Sequence, residues 1–416
     1  MATKAEQAGG AVSVRDVEAA AEAIAPIVRS TPMLQAGVLT RRVGAPVRLK
    51  AENLQRGGSF KIRGATNRIG TLSSAELERG VVAASAGNHA QAVAIAARAR
   101  GAEAELFMPG DAALAKIEAV RGYGGAVRLV EGSYDDAGAA ASAEAERTGR
   151  VLIHAFDDPA VVAGQGTIGL EIAAQAPATR LIVVAVGGGG LAAGIAIAAK
   201  ARLDGVRVVG VQSDACAPYL ASLEAERPVG LAAVSTICDG IAVKRPGELT
   251  LPLVAEHVDD VVTVSDDDVA QAMVLLLERT KLVAEPAGAA TVAALLAGAV
   301  EAPSEGEVCA VISGGNVDAG RLAECIRLGE TAAGRRLVFT TVVPDRPGAL
   351  ADLLATVAAE GANVIDVAHI REGIDLHVGE TAIRLVLQTD GPAHGEAILA
   401  AVREQGFAAR VEQRAD

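Results

Sequence analysis

The sequence lacks the features that mark secreted, membrane-bound or nucleic-acid-binding proteins. Its four cysteines form no CxxC pair and no metal-ligand spacing, which excludes a disulfide scaffold. No charge-free run is long enough to cross a bilayer, and no apolar stretch near the N-terminus precedes a cleavage site. The net charge of −13 argues against nucleic-acid or membrane-surface binding, since both need a basic face. We therefore expect a soluble, cytoplasmic protein that acts on a small molecule.

The composition is that of a folded, multidomain protein. Hydrophobic residues make up 51% of the chain and charged residues 21%, which excludes global disorder. With 416 residues, the chain exceeds what one hydrophobic core usually organises, so two or three domains are expected.

The order of the apolar segments predicts an α/β fold. Residues 1–13 are small and polar and are expected to form a flexible tail, and a helical pattern follows from Val14 to Val28. From Val47 to Val338, short β-branched runs alternate with alanine-rich helical windows. This alternation indicates parallel sheets with flanking helices, although the exact boundaries are ambiguous.

The C-terminal part has a different organisation. The segment 331–336, TAAGRR, is typical of a linker, and residues 337–416 follow the order βαββαβ. That order predicts a ferredoxin-like domain. Because no residue in it has an evident catalytic pattern, a regulatory or assembly role is favoured.

Three motifs in the larger part carry potential chemistry. SFKIRGA (59–65) places Lys61 at a loop-to-helix transition, although a lone lysine is more often a solvated surface charge. SAGNHAQ (85–91) follows a strand and opens a helix, which suits a carboxylate, with a plain N-cap by Ser85 or Asn88 as the alternative. GGGGL (187–191) lies between a strand and a helix, where backbone N–H groups can approach a phosphate.

Taken together, these motifs indicate a phosphorylated aldehyde cofactor. Lys61 supplies an amine for a covalent bond, and the glycine loop supplies a phosphate cradle. The glycine loop is neither a GxGxxG motif nor a P-loop, so nucleotide binding is less favoured. The expected cofactor is pyridoxal 5'-phosphate.

With these motifs in order, the chain resembles the threonine ammonia-lyases (threonine dehydratases) of the fold type II, tryptophan synthase β-like, pyridoxal-phosphate enzymes. The resemblance extends through DGIAVKRPG (239–247), VAEPAGAA (283–290) and VISGGN (311–316). It implies a catalytic domain at 14–330 with a smaller subdomain near 55–155. PDRPGAL (344–350) resembles the first turn of an ACT domain, which would occupy residues 337–416.

The resemblance also implies residue roles. Lys61 would bind the cofactor aldehyde and act as the base at Cα. The other cofactor-binding residues would be Asn88 at the ring hydroxyl, Ser313 at the ring nitrogen, and Gly187, Gly188, Gly189, Gly190 and Leu191 at the phosphate. The substrate carboxylate would lie at Ser85, Ala86, Gly87, Asn88 and His89, with the backbone of His89 favoured over its ring.

Departures from related subgroups narrow the expected reaction. Serine racemases of this fold have a second serine where this chain has Ala86, so racemisation is disfavoured. Relatives that bind a divalent cation have carboxylates where this chain has Gln212 and Pro218, so a divalent metal site is disfavoured here, with a weaker site at Asp214 as the alternative. Cys216 and Cys238 are interpreted as packing residues.

The resulting hypothesis is dehydrating deamination of L-threonine to 2-oxobutanoate and ammonia, with L-serine as a second substrate. Three alternatives remain: an L-serine-preferring dehydratase, a catabolic threonine dehydratase and a non-catalytic amino-acid sensor. The first remains because the one methyl group that separates threonine from serine changes binding by only about 1–3 kcal/mol. Isoleucine or valine is expected as an effector near Gly348 and Asn363, with a role in isoleucine biosynthesis, and the family suggests a homo-oligomer, a dimer or a tetramer.

Overall fold

The computed structural model describes residues 12–372 and 376–412. Residues 1–11 of the expected tail, and 373–375 and 413–416 of the expected ACT domain, lie outside the described residues. Val12 is buried, and Ser13 caps the first helix through a reciprocal capping box with Asp16. That helix ends at Ile24, short of the predicted Val28, because Pro26 has no N–H to continue the hydrogen-bond ladder.

The strands follow one another along the chain with helices between most of them. In chain order they are β1 (Met33–Gln35), β2 (Val47–Ala51), β3 (Val81–Ala84), β4 (Ala104–Pro109), β5 (Ala126–Val130), β6 (Val151–Leu152), β7 (Thr179–Ala185), β8 (Arg207–Ser213), β9 (Asp260–Val264), β10 (Glu307–Ile312), β11 (Arg336–Pro344), β12 (Asn363–Ile370), β13 (Glu380–Gln388) and β14 (Arg410–Val411).

The helices, in chain order, are α1 (Val14–Ile24), α2 (Gly37–Val43), α3 (Lys61–Gly70), α4 (Ser74–Arg79), α5 (Asn88–Ala99), α6 (Leu114–Gly122), α7 (Tyr134–Thr148), α8 (Pro159–Gln175), α9 (Gly190–Lys200), α10 (Pro218–Glu224), α11 (Thr250–His257), α12 (Asp266–Leu275), α13 (Pro286–Leu296), α14 (Ala319–Ala332), α15 (Ala349–Ala359) and α16 (Pro392–Glu404). A short 3-10 turn, Asp239–Ile241, precedes α11. Within the described ranges, no helix combines the length and apolar character needed to span a bilayer.

The chain divides between Leu322 and Ala323 into two compact units. The first contains a six-stranded sheet in the order β1-β2-β10-β7-β8-β9, in which only β1 runs antiparallel to its neighbour. Its central strands β7 and β10 contain the apolar runs LIVVA and VCAVI, as expected for a parallel sheet covered by helices. Helices α1, α8, α9 and α11 share the main hydrophobic core with β7 and β8.

A second, fully parallel sheet of the first unit has the order β5-β4-β3-β6 and is inserted in the chain between β2 and β7. Alternate residues of β3 serve opposite faces. Val81 and Ala83 pack into a core with α3, α5 and α6, whereas Val82 packs with Phe107 and α7. The predicted α/β class with two parallel sheets is confirmed.

The second unit contains the four-stranded antiparallel sheet β12-β13-β11-β14. Its chain order is β11-α15-β12-β13-α16-β14, so the predicted βαββαβ arrangement is confirmed. Phe339, Ile383 and Leu385 of the sheet are buried against Leu353 and Ile398 of the two helices. The segment 331–336, expected as a linker, comprises the end of α14, three residues without regular structure and the first residue of β11.

Candidate active site

The three sequence motifs converge on one cavity of about 760 Å³ in the first unit. Strands β3, β7 and β10 end directly before the segments that line it, because the carboxyl ends of parallel strands lie at one edge of their sheet. Every residue assigned to cofactor or substrate from the sequence lines this cavity: Lys61, Ser85, Ala86, Gly87, Asn88, His89, Gly187, Gly188, Gly189, Gly190, Leu191 and Ser313. The structure thus brings these residues together, and their individual roles stay predictions.

Lys61 is the first residue of α3 and is fixed by backbone contacts on its N-terminal side. The N–H of Phe60 donates to the carbonyl of Ser313 at 3.0 Å, and Ser59 forms an isolated bridge with Gly314. Burial lowers the pKa of the Lys61 amine to about 8, against the opposing effect of Glu285. The neutral, nucleophilic form of this amine therefore makes up a larger share near neutral pH than in an ordinary lysine.

The Lys61 amine has a defined acceptor, since its Nζ donates to the carbonyl of Ala155 at 2.9 Å. The segment around Ala155 is held by His154, whose Nδ1 accepts the Asp157 N–H at 2.8 Å. Burial lowers the pKa of His154, which favours the neutral ring that can accept this bond. Asp157 in turn accepts the N–H groups of Leu249 and Thr250 at the start of α11.

The glycine loop leaves no room for side chains. A β-carbon on Gly188 would stand 2.1 Å from the Phe156 ring, and one on Gly189 would stand 1.9 Å from the hydroxyl oxygen of Tyr219. Gly189 also has a φ of +91°, which glycine adopts without strain. Because α9 begins at Gly190, its first N–H groups have no partner within the helix. This cradle has the shape and polarity that a phosphate needs.

The glycine loop is oriented by neighbouring hydroxyl groups. The hydroxyl of Thr250 donates to the Gly188 carbonyl at 2.6 Å, and the hydroxyl of Tyr219 donates to the same oxygen at 3.1 Å. This carbonyl is thereby held by two donors, which fixes the peptide planes of the loop.

A carboxylate that the motif analysis did not single out lies within the cavity. Glu285 precedes α13, is 5% exposed, and accepts the Asn88 amide at 2.8 and 3.1 Å. Burial, together with the charge of Asp239, raises the pKa of Glu285 to about 7. The opposite end of the Asn88 amide accepts the Asn316 amide at 2.8 Å. Asn88, the residue assigned to the cofactor ring hydroxyl, is thus held at both ends.

The loop after β3 presents backbone groups and neutral side chains. Ser85 Oγ accepts the Gly87 N–H at 3.1 Å, and α5 begins one residue later. The ring of His89 lies 2.8 Å from the Ile153 carbonyl through Nε2, and burial, with the charge of Lys61, lowers its pKa to about 3. A neutral His89 adds no positive charge here. The N-terminus of α5 is therefore the feature of this loop that attracts a carboxylate.

The segment where relatives were expected to bind a divalent cation is used for packing. The Gln212 amide donates to the Val186 carbonyl at 3.1 Å and accepts the Tyr219 N–H at 3.1 Å. Across residues 12–372 and 376–412, no group of three or more His, Cys, Asp or Glu side chains is arranged to hold a metal ion. Cys216 and Cys238 are both buried.

Comparison with known proteins establishes the family. The profile described as "Pyridoxal-phosphate dependent enzyme" matches residues 24–314. The chain belongs to this family. An L-threonine ammonia-lyase of Thermotoga maritima is 43% identical over 400 residues, covering 96% of this chain and 99% of that protein.

Solved structures show the same fold. The T.th. threonine deaminase superposes with a TM-score of 0.70 and 41% identity, covering 74% of this chain and 99% of that one. A maize serine racemase superposes with a TM-score of 0.73 and 35% identity, covering 76% and 98%. The predicted cofactor, pyridoxal phosphate, is confirmed by family membership.

The residues present fit that cofactor. The cradle that a β-carbon would fill suits the phosphate, and the depressed pKa of Lys61 suits covalent attachment of the aldehyde. Phe60, Phe156 and Ile241 add apolar walls to the same cavity.

Proposed function

We propose that this protein catalyses the dehydrating deamination of L-threonine to 2-oxobutanoate and ammonia, with L-serine, giving pyruvate, as a second substrate. The observation that carries the proposal is the position of the Lys61 amine, in one cavity with the glycine cradle and the loop 85–89. The names of the L-threonine ammonia-lyase and the threonine deaminase support threonine as the substrate.

Lys61 has two tasks in this reaction. With the cofactor bound, its amine would hold the cofactor aldehyde, and once the amino group of the substrate had replaced it, the neutral amine would take the proton from substrate Cα. Pyridoxal phosphate supplies a conjugated ring that accepts electron density from Cα. The lowered pKa of Lys61 increases the share of the neutral amine, which is the form that can accept this proton.

Ser313 favours elimination of the β-hydroxyl. Ser313 would face the ring nitrogen of the bound cofactor, where its uncharged hydroxyl would not favour ring protonation as a carboxylate would. Ser313 is 2% exposed, so water does not replace it at this position. The β-hydroxyl would then leave as water, with the proton taken from Cα balancing the hydroxide. The released enamine would hydrolyse to the 2-oxo acid and ammonia.

Racemisation is a second candidate because the maize serine racemase has the same fold at 35% identity. Ala86 lines the cavity with a methyl group, where those enzymes were expected to have a hydroxyl that returns a proton to Cα. Elimination is therefore the better-supported reaction.

The second unit supports a regulatory role. Gly348 caps α15 with a φ of +96°, and a β-carbon there would meet no atom within 4 Å, so the turn leaves room for a small ligand. Asn363 begins β12 and donates to the Gln388 side chain at 3.3 Å. We propose that isoleucine or valine binds near these two residues in a cytoplasmic homo-oligomer, a dimer or a tetramer, that serves isoleucine biosynthesis.

The test of the reaction is a product assay on the purified protein with added pyridoxal phosphate. 2-Oxo acid release from L-threonine and L-serine is measured side by side, and the remaining serine is analysed by chiral chromatography. Release of 2-oxobutanoate with little D-serine supports the proposal. D-serine as the main product would replace it with racemisation, and no release from either substrate would favour an amino-acid sensor.

The test of regulation is the same assay with isoleucine, valine or leucine added. Isoleucine or valine should shift the threonine concentration at half-maximal rate, and Asn363→Ala should weaken that shift. An unchanged substrate dependence with all three amino acids would contradict the regulatory role.

A further inference from the structure

An ion pair crosses the mouth of the cavity next to the loop 85–89. Lys116 lies on α6, between β4 and β5 of the smaller sheet, and donates to Asp239 Oδ2 at 2.8 Å. Asp239 lies on the 3-10 turn between β8 and β9 of the larger sheet. Both side chains line the cavity. The Lys116 Nζ also lies 4.0 Å from the point where a β-carbon would stand on Gly87. This amine is therefore placed between an acidic side chain and the loop.

Among the described residues that line the cavity, four are lysine or arginine: Lys61, Lys116, Lys244 and Arg245. Lys61 is committed to the covalent chemistry, whereas Lys244 pairs with Asp135 at 2.9 Å and Arg245 with Glu248 at 2.7 Å. Neither of these two lies within 4 Å of that β-carbon position on Gly87. Lys116 is thus the cation that the geometry places at the loop.

The two members of this ion pair differ in exposure, which permits Lys116 to exchange Asp239 for another carboxylate. The Asp239 side chain is 62% exposed, whereas that of Lys116 is 25% exposed. An exposed carboxylate released from an ion pair is readily solvated, so little free energy opposes its departure. A carboxylate in the more enclosed loop gains more from the same amine because water screens it less.

We propose that Lys116 is a substrate-binding residue that releases Asp239 and pairs with the α-carboxylate of the incoming amino acid. The inference rests on the proposed function, because it takes the loop 85–89 as the carboxylate site. Asp239 then acts as a stand-in carboxylate that holds the Lys116 amine at the loop before substrate arrives. The Lys116–Asp239 ion pair also links an element beside the smaller sheet to one beside the larger sheet. Substrate binding therefore breaks a contact between these two parts of the first unit.

The test measures binding of unreactive amino acids to the full-length protein loaded with pyridoxal phosphate. L-Alanine has the carboxylate but no β-leaving group, and L-alaninamide lacks the carboxylate charge. Dissociation constants for both are determined by calorimetry for the wild type, Lys116→Gln, Lys116→Arg and Asp239→Asn. Lys244→Gln is the matched control, since it breaks another ion pair between residues that line the cavity.

Lys116→Gln should weaken L-alanine binding on the order of ten- to a hundredfold, as expected for loss of a charge-assisted hydrogen bond. L-Alaninamide binding should change less than threefold, and Lys116→Arg should restore most of the L-alanine affinity. Asp239→Asn should leave L-alanine binding equal or tighter. Lys244→Gln should change neither ligand's affinity more than about twofold.

Three results would overturn the proposal: unchanged L-alanine binding in Lys116→Gln, equal weakening of both ligands, or equal weakening in Lys116→Gln and Lys244→Gln. The first excludes the contact, and the other two indicate a structural role. These results are distinguishable from failure of the proposed function, which the wild-type product assay reports independently. In that assay, Lys116→Gln should raise the KM for L-threonine far more than it lowers kcat.

Discussion

Replacing Arg63 with methionine should strongly destabilise the first unit, because it removes the cation from a buried network two residues after Lys61. Arg63 is 1% exposed and binds Glu52 through Nε and a terminal nitrogen, both at 2.8 Å. It also donates to Glu171 at 2.6 and 3.0 Å and to the Thr167 hydroxyl at 3.0 Å. The side chain of Glu52 is fully buried.

The expected magnitude follows from the burial of the partners. Removing one member of a buried ion pair typically lowers the free energy of unfolding by about 3–5 kcal/mol, since the remaining charge stays desolvated. For a cooperative unit that extends to Leu322, this corresponds to a Tm lower by about 4–7 °C. Glu171 also pairs with Lys50 at 2.6 Å, so most of the loss arises at Glu52.

The assay is urea unfolding of the full chain, with calorimetry for Tm. Arg245→Met is the control, because Arg245 pairs with Glu248 on the exposed surface, where the expected change is below about 1 kcal/mol. The double variant Arg63→Met/Glu52→Gln should be more stable than the sum of the single losses predicts, because no unpaired buried charge remains at Glu52. Equal stability of Arg63→Met and Arg245→Met would refute the reasoning.

Two further predictions concern the cavity. Gly188→Ala should abolish pyridoxal-phosphate binding, because the new methyl group would stand 2.1 Å from the Phe156 ring. Absorbance titration with the cofactor checks this, and Gly138→Ala in α7, where the added methyl group meets no atom within 4 Å, is the control. Normal binding by Gly188→Ala would contradict the cradle. Burial raises the pKa of Glu285 from its usual 4.5 to about 7. The contribution of the protonated side chain to the free energy of unfolding is therefore fully present below pH 4.5 and is lost as the pH rises through 7. In cofactor-free protein, urea unfolding should show that the free energy of unfolding of Glu285→Gln rises by about 3 kcal/mol relative to that of the wild type between pH 4.5 and pH 8. A difference between the two proteins that stays constant across this range would contradict the pKa shift.

The fold could be predicted because its signals are local. Each β-branched run followed by an alanine-rich window reports one strand and one helix, and parallel pairing then brings the ends of β3, β7 and β10 to the cavity. The same logic gave the βαββαβ order of the second unit. The prediction that α1 continues to Val28 was wrong because it followed the apolar spacing alone, although Pro26 is a local signal that ends the helix near Ile24.

The parts of the site that sequence reasoning missed depend on long-range contacts. Glu285 was visible in VAEPAGAA, but its partner Asn88 lies 197 positions earlier. Lys116 lies in a helix without a recognisable motif, and its position near Gly87 follows from the packing of α6. Arg63 was visible in SFKIRGA, but its partners Glu52 and Glu171 belong to other segments. Such roles require the tertiary structure.

The most direct test of the central claim is chemical mapping of the cofactor attachment site. The protein loaded with pyridoxal phosphate is reduced with borohydride, digested and analysed by mass spectrometry, with Lys61→Ala treated in parallel. We expect a stable cofactor adduct on Lys61 in the wild type and no adduct at position 61 in the Lys61→Ala protein. An adduct on Lys116 or another lysine, with Lys61 unmodified, would contradict this expectation.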